Sequence, residues 1–161
     1  MATATGAHQI NLTGGEPFMQ PEESLEKFLS RLPKEHFPVE CFSNGSFLYP
    51  LWALDRISFV MDWKLGGSGE ATTQRPNRLE NAQRLQAKDA IKFVVVDYND
   101  LMEAHRIWDA LKDRPVEFWC GPAWGRFEAH HIVEFIKEKK LPWKLNVQVH
   151  NYVYSPQERG R

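Results

Sequence analysis

The sequence predicts an α/β domain on a parallel sheet, and three observations carry that prediction. Apolar runs of strand length alternate with segments of helical periodicity, several runs lack interspersed polar residues, and the connections between them are short. Strands without polar alternation are usually covered on both faces, and short connections favour right-handed crossover units. Residues 1–161 are read as a single domain with the order βαββαβαβαβ.

The elements follow in turn. His8 to Leu12 is a short strand that ends at Thr13-Gly14-Gly15-Glu16-Pro17, a glycine turn. Glu22 to Leu32 places Leu25, Phe28, Leu29 and Leu32 at helical spacing, and Pro33 stops the helix. Val39 to Phe42 is a second strand closed by Ser43-Asn44-Gly45-Ser46, and Ile57 to Met61 a third, closed by Asp62-Trp63-Lys64 and a glycine-rich stretch through Gly69. Asn77 to Gln86 suits a helix, Ile91 to Val96 a nearly continuous apolar strand, and Leu101 to Leu111 an amphipathic helix. Val116 to Cys120 is a strand, Arg126 to Lys139 a helix with Phe127, His131, Phe135 and Ile136 on one side, and Leu145 to Val149 the last strand.

Composition narrows the function classes. With 42% apolar and 25% charged residues the chain is an ordinary globular one, and 20 basic against 21 acidic side chains leave no positive field for nucleic acid or an anionic membrane. No apolar run approaches the roughly 18 to 20 residues that span a bilayer, and Met1 to Gly6 lacks a secretory pattern, so a cytoplasmic protein is expected. Cys41 and Cys120 are far apart, which signals neither a disulfide framework nor a thiolate metal site. The pair His130-His131 is no chelate, because adjacent helical residues diverge by about 100°. No metal ligand is assigned.

In parallel α/β sheets, ligands meet the carboxyl ends of the strands. Those ends here hold Thr13-Gly14-Gly15-Glu16, Ser43-Asn44, Asp62 with Lys64, Asp97, and His150 with Asn151. A double glycine lets the backbone approach a ligand closely, and Glu16 supplies a carboxylate for a cationic group; equally, two glycines make an ordinary turn. One of Asp62 and Lys64 is expected to point inward, and Lys64 is the choice. Trp119, Trp124 and Trp143 are assigned to the core in preference to a wall for a flat ligand. The tail Tyr154 to Arg161 either folds over the mouth of the sheet or is free.

Leu12-Thr13-Gly14-Gly15-Glu16-Pro17 at a strand end resembles the GGEP motif of radical S-adenosylmethionine enzymes, whose loop grips the cofactor's amino group. Downstream, Val39-Glu40-Cys41-Phe42-Ser43-Asn44-Gly45 resembles the ETNG segment of 7-carboxy-7-deazaguanine synthases. Asp62-Trp63-Lys64-Leu65 resembles that family's D-x-K segment, Ile91 to Val95 its LKFVV strand, and Val149-His150-Asn151-Tyr152 its LHK region. GGEP alone indicates the superfamily; the series in order points to this member and covers nearly the whole chain.

The resemblance implies a partial parallel β/α barrel and a lyase-type ring contraction of 6-carboxy-tetrahydropterin to 7-carboxy-7-deazaguanine in queuosine and 7-deazaguanine biosynthesis. The cofactor it implies is S-adenosylmethionine, with magnesium assisting. Glu16, in the cradle Thr13-Gly14-Gly15, would fix the cofactor's ammonium group, Ser43 and Asn44 its ribose and carboxylate, and Lys64 its carboxylate. Glu40 would orient the pterin or manage a proton, and His150 would face the substrate, which makes these two the catalytic candidates. Members of the family carry a three-cysteine motif for a 4Fe-4S cluster ahead of this region, and the sequence begins just before the GGEP strand. The cluster and magnesium are therefore expected from a partner half, a separate chain pairing with an open strand edge and a partly uncovered apolar concave face; a homo-oligomer is the other expected partner. A shortened start, a non-catalytic binding module on the same scaffold, and a different radical enzyme of the superfamily are the rival readings.

Overall fold

Apolar side chains at alternate positions draw six short segments into one sheet. The computed structural model describes residues 6, 8–33, 37–69 and 77–153, with the side chain of residue 152 excepted; the tail discussed above lies outside these. Along the chain come β1 (Ile10–Leu12), α1 (Glu22–Ser30), β2 (Val39–Ser43), α2 (Leu51–Arg56), β3 (Ile57–Trp63), α3 (Asn77–Arg84) and β4 (Ala90–Val95). They are followed by α4 (Tyr98–Leu111), β5 (Glu117–Pro122), α5 (Ala129–Lys139), β6 (Lys144–Leu145) and α6 (His150–Val153). All pairings are parallel and the strand order is β1-β2-β3-β4-β5-β6. This is the predicted α/β class, with the open sheet of a partial barrel.

Because the strand order never reverses, right-handed crossovers place successive helices on the same side of the sheet. Cross-strand rows on that side, such as Cys41 beside Phe59 and Ile91 beside Phe118, are fully or almost fully buried. Leu29, Ala53, Leu85, Leu101 and Ile132 close over them. Tyr49 stacks on Phe59 with centroids 4.1 Å apart, and Phe18 lies 5.4 Å from Tyr49.

The opposite face corrects an expectation. It is not covered by described helices, nor is it broadly apolar: Glu40, Phe42, Ser58, Asp62, Lys92, Glu117 and Trp119 stand on it, each half-buried. Strand alternation is therefore present, and the apolar runs conceal it because Phe42, Val60 and Val94 share the open face with the charges.

Most elements lie within a few residues of their expected bounds, but one helix is additional and the last strand is shifted. Helix α2 is the additional element; its six residues after Pro50 are too few to display a helical period, yet they bury Ala53 and Leu54 and run directly into β3. The last strand is Lys144–Leu145 instead of Leu145 to Val149. Asn146 N still donates to Cys120 O at 2.8 Å, and its own carbonyl oxygen then passes across Gly121, where a β-carbon would lie 1.9 Å from it.

That contact gives a test. Gly121→Ala should lower stability by about 1–3 kcal/mol, the usual cost of overpacking, read as a reduced urea midpoint at unchanged slope; an unaltered midpoint would mean that the β6 crossing is not held tightly over β5.

Candidate functional site

The glycine turn after β1 is built by backbone conformation. Gly14 and Gly15 have φ of 87° and 62°, in the left-handed region that glycine adopts without cost. The chain then turns into a single 3-10 turn, Pro17–Met19, whose Phe18 is anchored against Tyr49 and Phe59. Glu16, directly before that turn, is carried inward and is only 7% exposed.

Both Glu16 oxygens meet the end of β2. Ser43 Oγ donates to Oε1 at 2.8 Å, and the Asn44 backbone N–H donates to Oε2 at 2.7 Å. Gly45 N donates in turn to Ser43 Oγ at 3.1 Å, and Ser46 N to Asn44 Oδ1 at 2.9 Å. The far side of this loop is held by buried Asn81 of α3, whose Nδ2 donates to Phe47 O at 2.7 Å and whose Oδ1 accepts from Tyr49 N at 2.9 Å. Glu16 is thus not a solvated turn carboxylate. Among the described residues no basic side chain pairs with it.

The ends of β3 and β4 form the other wall. Asp62 and Lys64 are both directed at the site, and Lys64 Nζ lies 2.7 Å from Asp62 Oδ2. This corrects the expectation that one of them points inward: residues two apart on an extended chain share a face. Asp62 Oδ1 is buried and has no hydrogen-bond partner among the described residues. Arg78 fixes the chain beyond β3 by donating to Lys64 O at 3.1 Å while its guanidinium sits 5.3 Å from the Trp63 ring centroid. Buried Asp100 joins the loops after β3 and β4, accepting from Gly67 N at 2.9 Å and Val96 N at 3.0 Å. Asp97, a strand-end candidate in the sequence, is the N-cap of α4 and accepts from Asp100 N.

Between these walls lies a cleft of about 240 Å³ at the carboxyl ends of β1 to β3 and beside Lys92 of β4. Five sequence-predicted residues line it: Thr13, Gly15, Ser43, Asn44 and Lys64. Phe42, Val60, Asp62 and Lys92 complete the lining. Gly14 and Glu16 belong to the loop that forms its rim. Glu40 shares the open face with Phe42 but stands two residues nearer the start of β2, with Gln9 Nε2 3.5 Å from its Oε2.

His150 is not brought into the cleft. It is exposed and opens α6 instead of ending a strand, beyond β6 at the sheet edge opposite β1. The assignment of the tryptophans to the core holds for Trp143, which packs on Phe93 and Phe135, but not for Trp119 on the open face or Trp124, which is 46% exposed. Lys92 is not among the site residues that the sequence predicts. Its signal was a single charge inside the apolar run Ala90 to Val95, which on a one-sided sheet marks a position facing away from the core.

The thiols have no part in this chemistry. Burial, with the Glu16 charge adding to it, pushes the Cys41 pKa up to about 12, and burial with Asp100 pushes Cys120 to about 12. Both are free, buried and neutral near pH 7. Among the described residues no group of three or more His, Cys, Asp or Glu side chains gathers to hold a metal ion.

No family model matches the chain. It is 32% identical over 161 residues to a 7-carboxy-7-deazaguanine synthase of Clostridium acetobutylicum, covering 97% of this chain and 71% of that protein. The corresponding enzyme of Methanospirillum hungatei is 28% identical over 92% of this chain and 60% of its own length, and that of Leptospira interrogans 30% identical over 92% and 65%. Among solved structures, QueE from Escherichia coli superposes with a TM-score of 0.60 at 21% identity, covering 91% of this chain and 60% of that one, a likeness of fold. The chain therefore spans about 60 to 71% of the length of these proteins.

The thiol pKa values set a pH dependence. A folded-state value raised above the ordinary one means the native state resists ionisation, so this contribution to stability is fully present below about pH 9 and is lost as pH rises toward 12. Native protein at pH 8 should leave Cys41 and Cys120 unreacted with a thiol-disulfide reagent while urea-unfolded protein releases two equivalents; rapid labelling of the native state would contradict the buried placement.

Proposed function

The chain belongs to the 7-carboxy-7-deazaguanine synthase family, and on that premise we propose that it forms the cofactor-cradling part of such an enzyme, a radical S-adenosylmethionine carbon-nitrogen lyase acting on 6-carboxy-tetrahydropterin. The observation that carries this reading is Glu16: a buried carboxylate at a double-glycine turn, held by two neutral donors and lacking a cation among the described residues. A carboxylate accepts about four hydrogen bonds, and a buried charge is costly unless paired. An ammonium group supplied by the cofactor satisfies both conditions.

The donor set of the cleft suits S-adenosylmethionine. Gly14 and Gly15 leave open space where β-carbons would stand, so their backbone groups are accessible to the amino-acid end together with Glu16. Ser43 and Asn44, fixed by Glu16 itself, face the ribose, and the Asp62–Lys64 pair bounds the far side. When bound, the cofactor is the source of the radical for the ring contraction. Glu40, deeper on the same face, would accept the adjacent N–H groups of a pterin edge and so orient the ring.

The described residues do not fit an iron-sulfur cluster: their two cysteines are buried on β2 and β5 and held protonated. We propose that the cluster comes, with magnesium, from a cluster-bearing partner chain that adds strands beside β1, where among the described residues the outer edge of Ile10–Leu12 has no neighbour. No described helix is long and apolar enough to cross a membrane, and we propose a cytoplasmic setting.

The test is to co-express the chain with candidate cluster-bearing partners, reconstitute anaerobically and assay the deazaguanine product by mass spectrometry. Product is expected from the assembled pair. Glu16→Gln should cut turnover about ten- to a hundredfold, the loss of a charge-assisted contact worth about 1.5–3 kcal/mol. Absence of product from every folded complex, or turnover indifferent to Glu16→Gln and Glu40→Gln, would favour a binding module that kept the scaffold without the chemistry.

A further inference from the structure

Among the described residues most charges of the open face have a polar partner, and Lys92 has none. Asp62 holds Lys64 at 2.7 Å; Glu117 accepts from Lys144 at 2.6 Å and Trp119 at 2.9 Å, which holds its carboxyl below the usual range; Glu40 has the Gln9 amide beside it. Lys92 stands in cross-strand register between Asp62 on β3 and Trp119 on β5, half-buried and lining the cleft. Among the described residues it has no hydrogen bond or ion pair. Its neighbours Ile91 and Phe93 point into the core, so the ammonium group is confined to the cleft side of the sheet.

An unpaired, partly desolvated lysine is a cost that a valine or threonine at this strand position would avoid. Lys64 cannot take the role expected of it in full, because Asp62 already neutralises it. Among the described residues, what remains in the cleft is the positive charge of Lys92 and a buried acceptor, Asp62 Oδ1, without a partner. From this geometry we infer that Lys92 is the carboxylate-recognition residue of the cleft and selects ligands that carry a free carboxylate. The inference rests on the function proposed above, in which two molecules carry that group, S-adenosylmethionine and the carboxypterin.

Titration calorimetry on the full chain, complexed with its cluster-bearing partner where one is found, separates the possibilities. Two ligand pairs are compared: S-adenosylmethionine with its decarboxylated form, and 6-carboxypterin with pterin. Wild-type protein, Lys92→Met, Lys92→Arg and Glu16→Gln are titrated with each. Lys92→Met should weaken the carboxylate-bearing member of one pair at least tenfold and its counterpart less than twofold, with Lys92→Arg retaining most of the preference. The pair that responds names the carboxylate that Lys92 reads. Equal weakening within both pairs, or a carboxylate preference that survives Lys92→Met, overturns the inference while leaving the functional reading intact so long as Glu16→Gln still loses S-adenosylmethionine. If wild-type protein binds neither S-adenosylmethionine nor carboxypterin, the functional reading fails and the inference with it.

Discussion

A carboxylate taken out of water between two strand ends must find donors, and Glu16 finds them in Ser43 Oγ and the Asn44 amide. This pair of bonds fixes the glycine turn against the β2 loop, so the first two strand ends of the sheet form one wall. The same charge reaches the core below, where it adds to burial in keeping Cys41 a neutral thiol. Gly14 and Gly15 supply the left-handed backbone that turns the chain toward this position, and Phe18, stacked into the core one turn later, prevents it from swinging out.

The topology explains why the wall faces a usable surface. With the described helices on one side, the other side of the sheet carries whatever the alternate positions hold, and these include Glu40, Asp62, Lys92 and Glu117. Cross-strand register then converts positions far apart in sequence into a compact arrangement, with Asp62 and Lys92 side by side. The loops above are tied together by Asp100 and Asn81, whose buried hydrogen bonds hold backbone groups around the cleft without entering it. On the proposed reading the cleft thus presents an anion at one wall and a cation at the other, the complement of an amino-acid end group.

Much of this was legible in the chain. The strand-helix alternation was plain because β3, β4 and β5 are apolar and their helices periodic, and the cleft residues beyond β1 and β2 stood out as the glycine motif after the first strand and the polar turn after the second. Less visible was anything governed by short range or by register. Helix α2 is under two turns long, β6 has two residues, and His150 follows it into a helix instead of a strand end. Lys92 was obscured because an apolar run with one charge reads as a buried strand until the sheet is known to be covered on one face. The partnership of Asp62 with Lys64 follows from the period of an extended chain alone, in which residues two apart share a face.

The most direct test is a crystal structure of the chain, assembled with its cluster-bearing partner, soaked with S-adenosylmethionine. The account predicts the cofactor in the cleft, its ammonium nitrogen within hydrogen-bond distance of Glu16 and the Gly14–Gly15 backbone. A cofactor seated elsewhere, or one in the cleft with its ammonium group turned away from an unchanged Glu16, would contradict it.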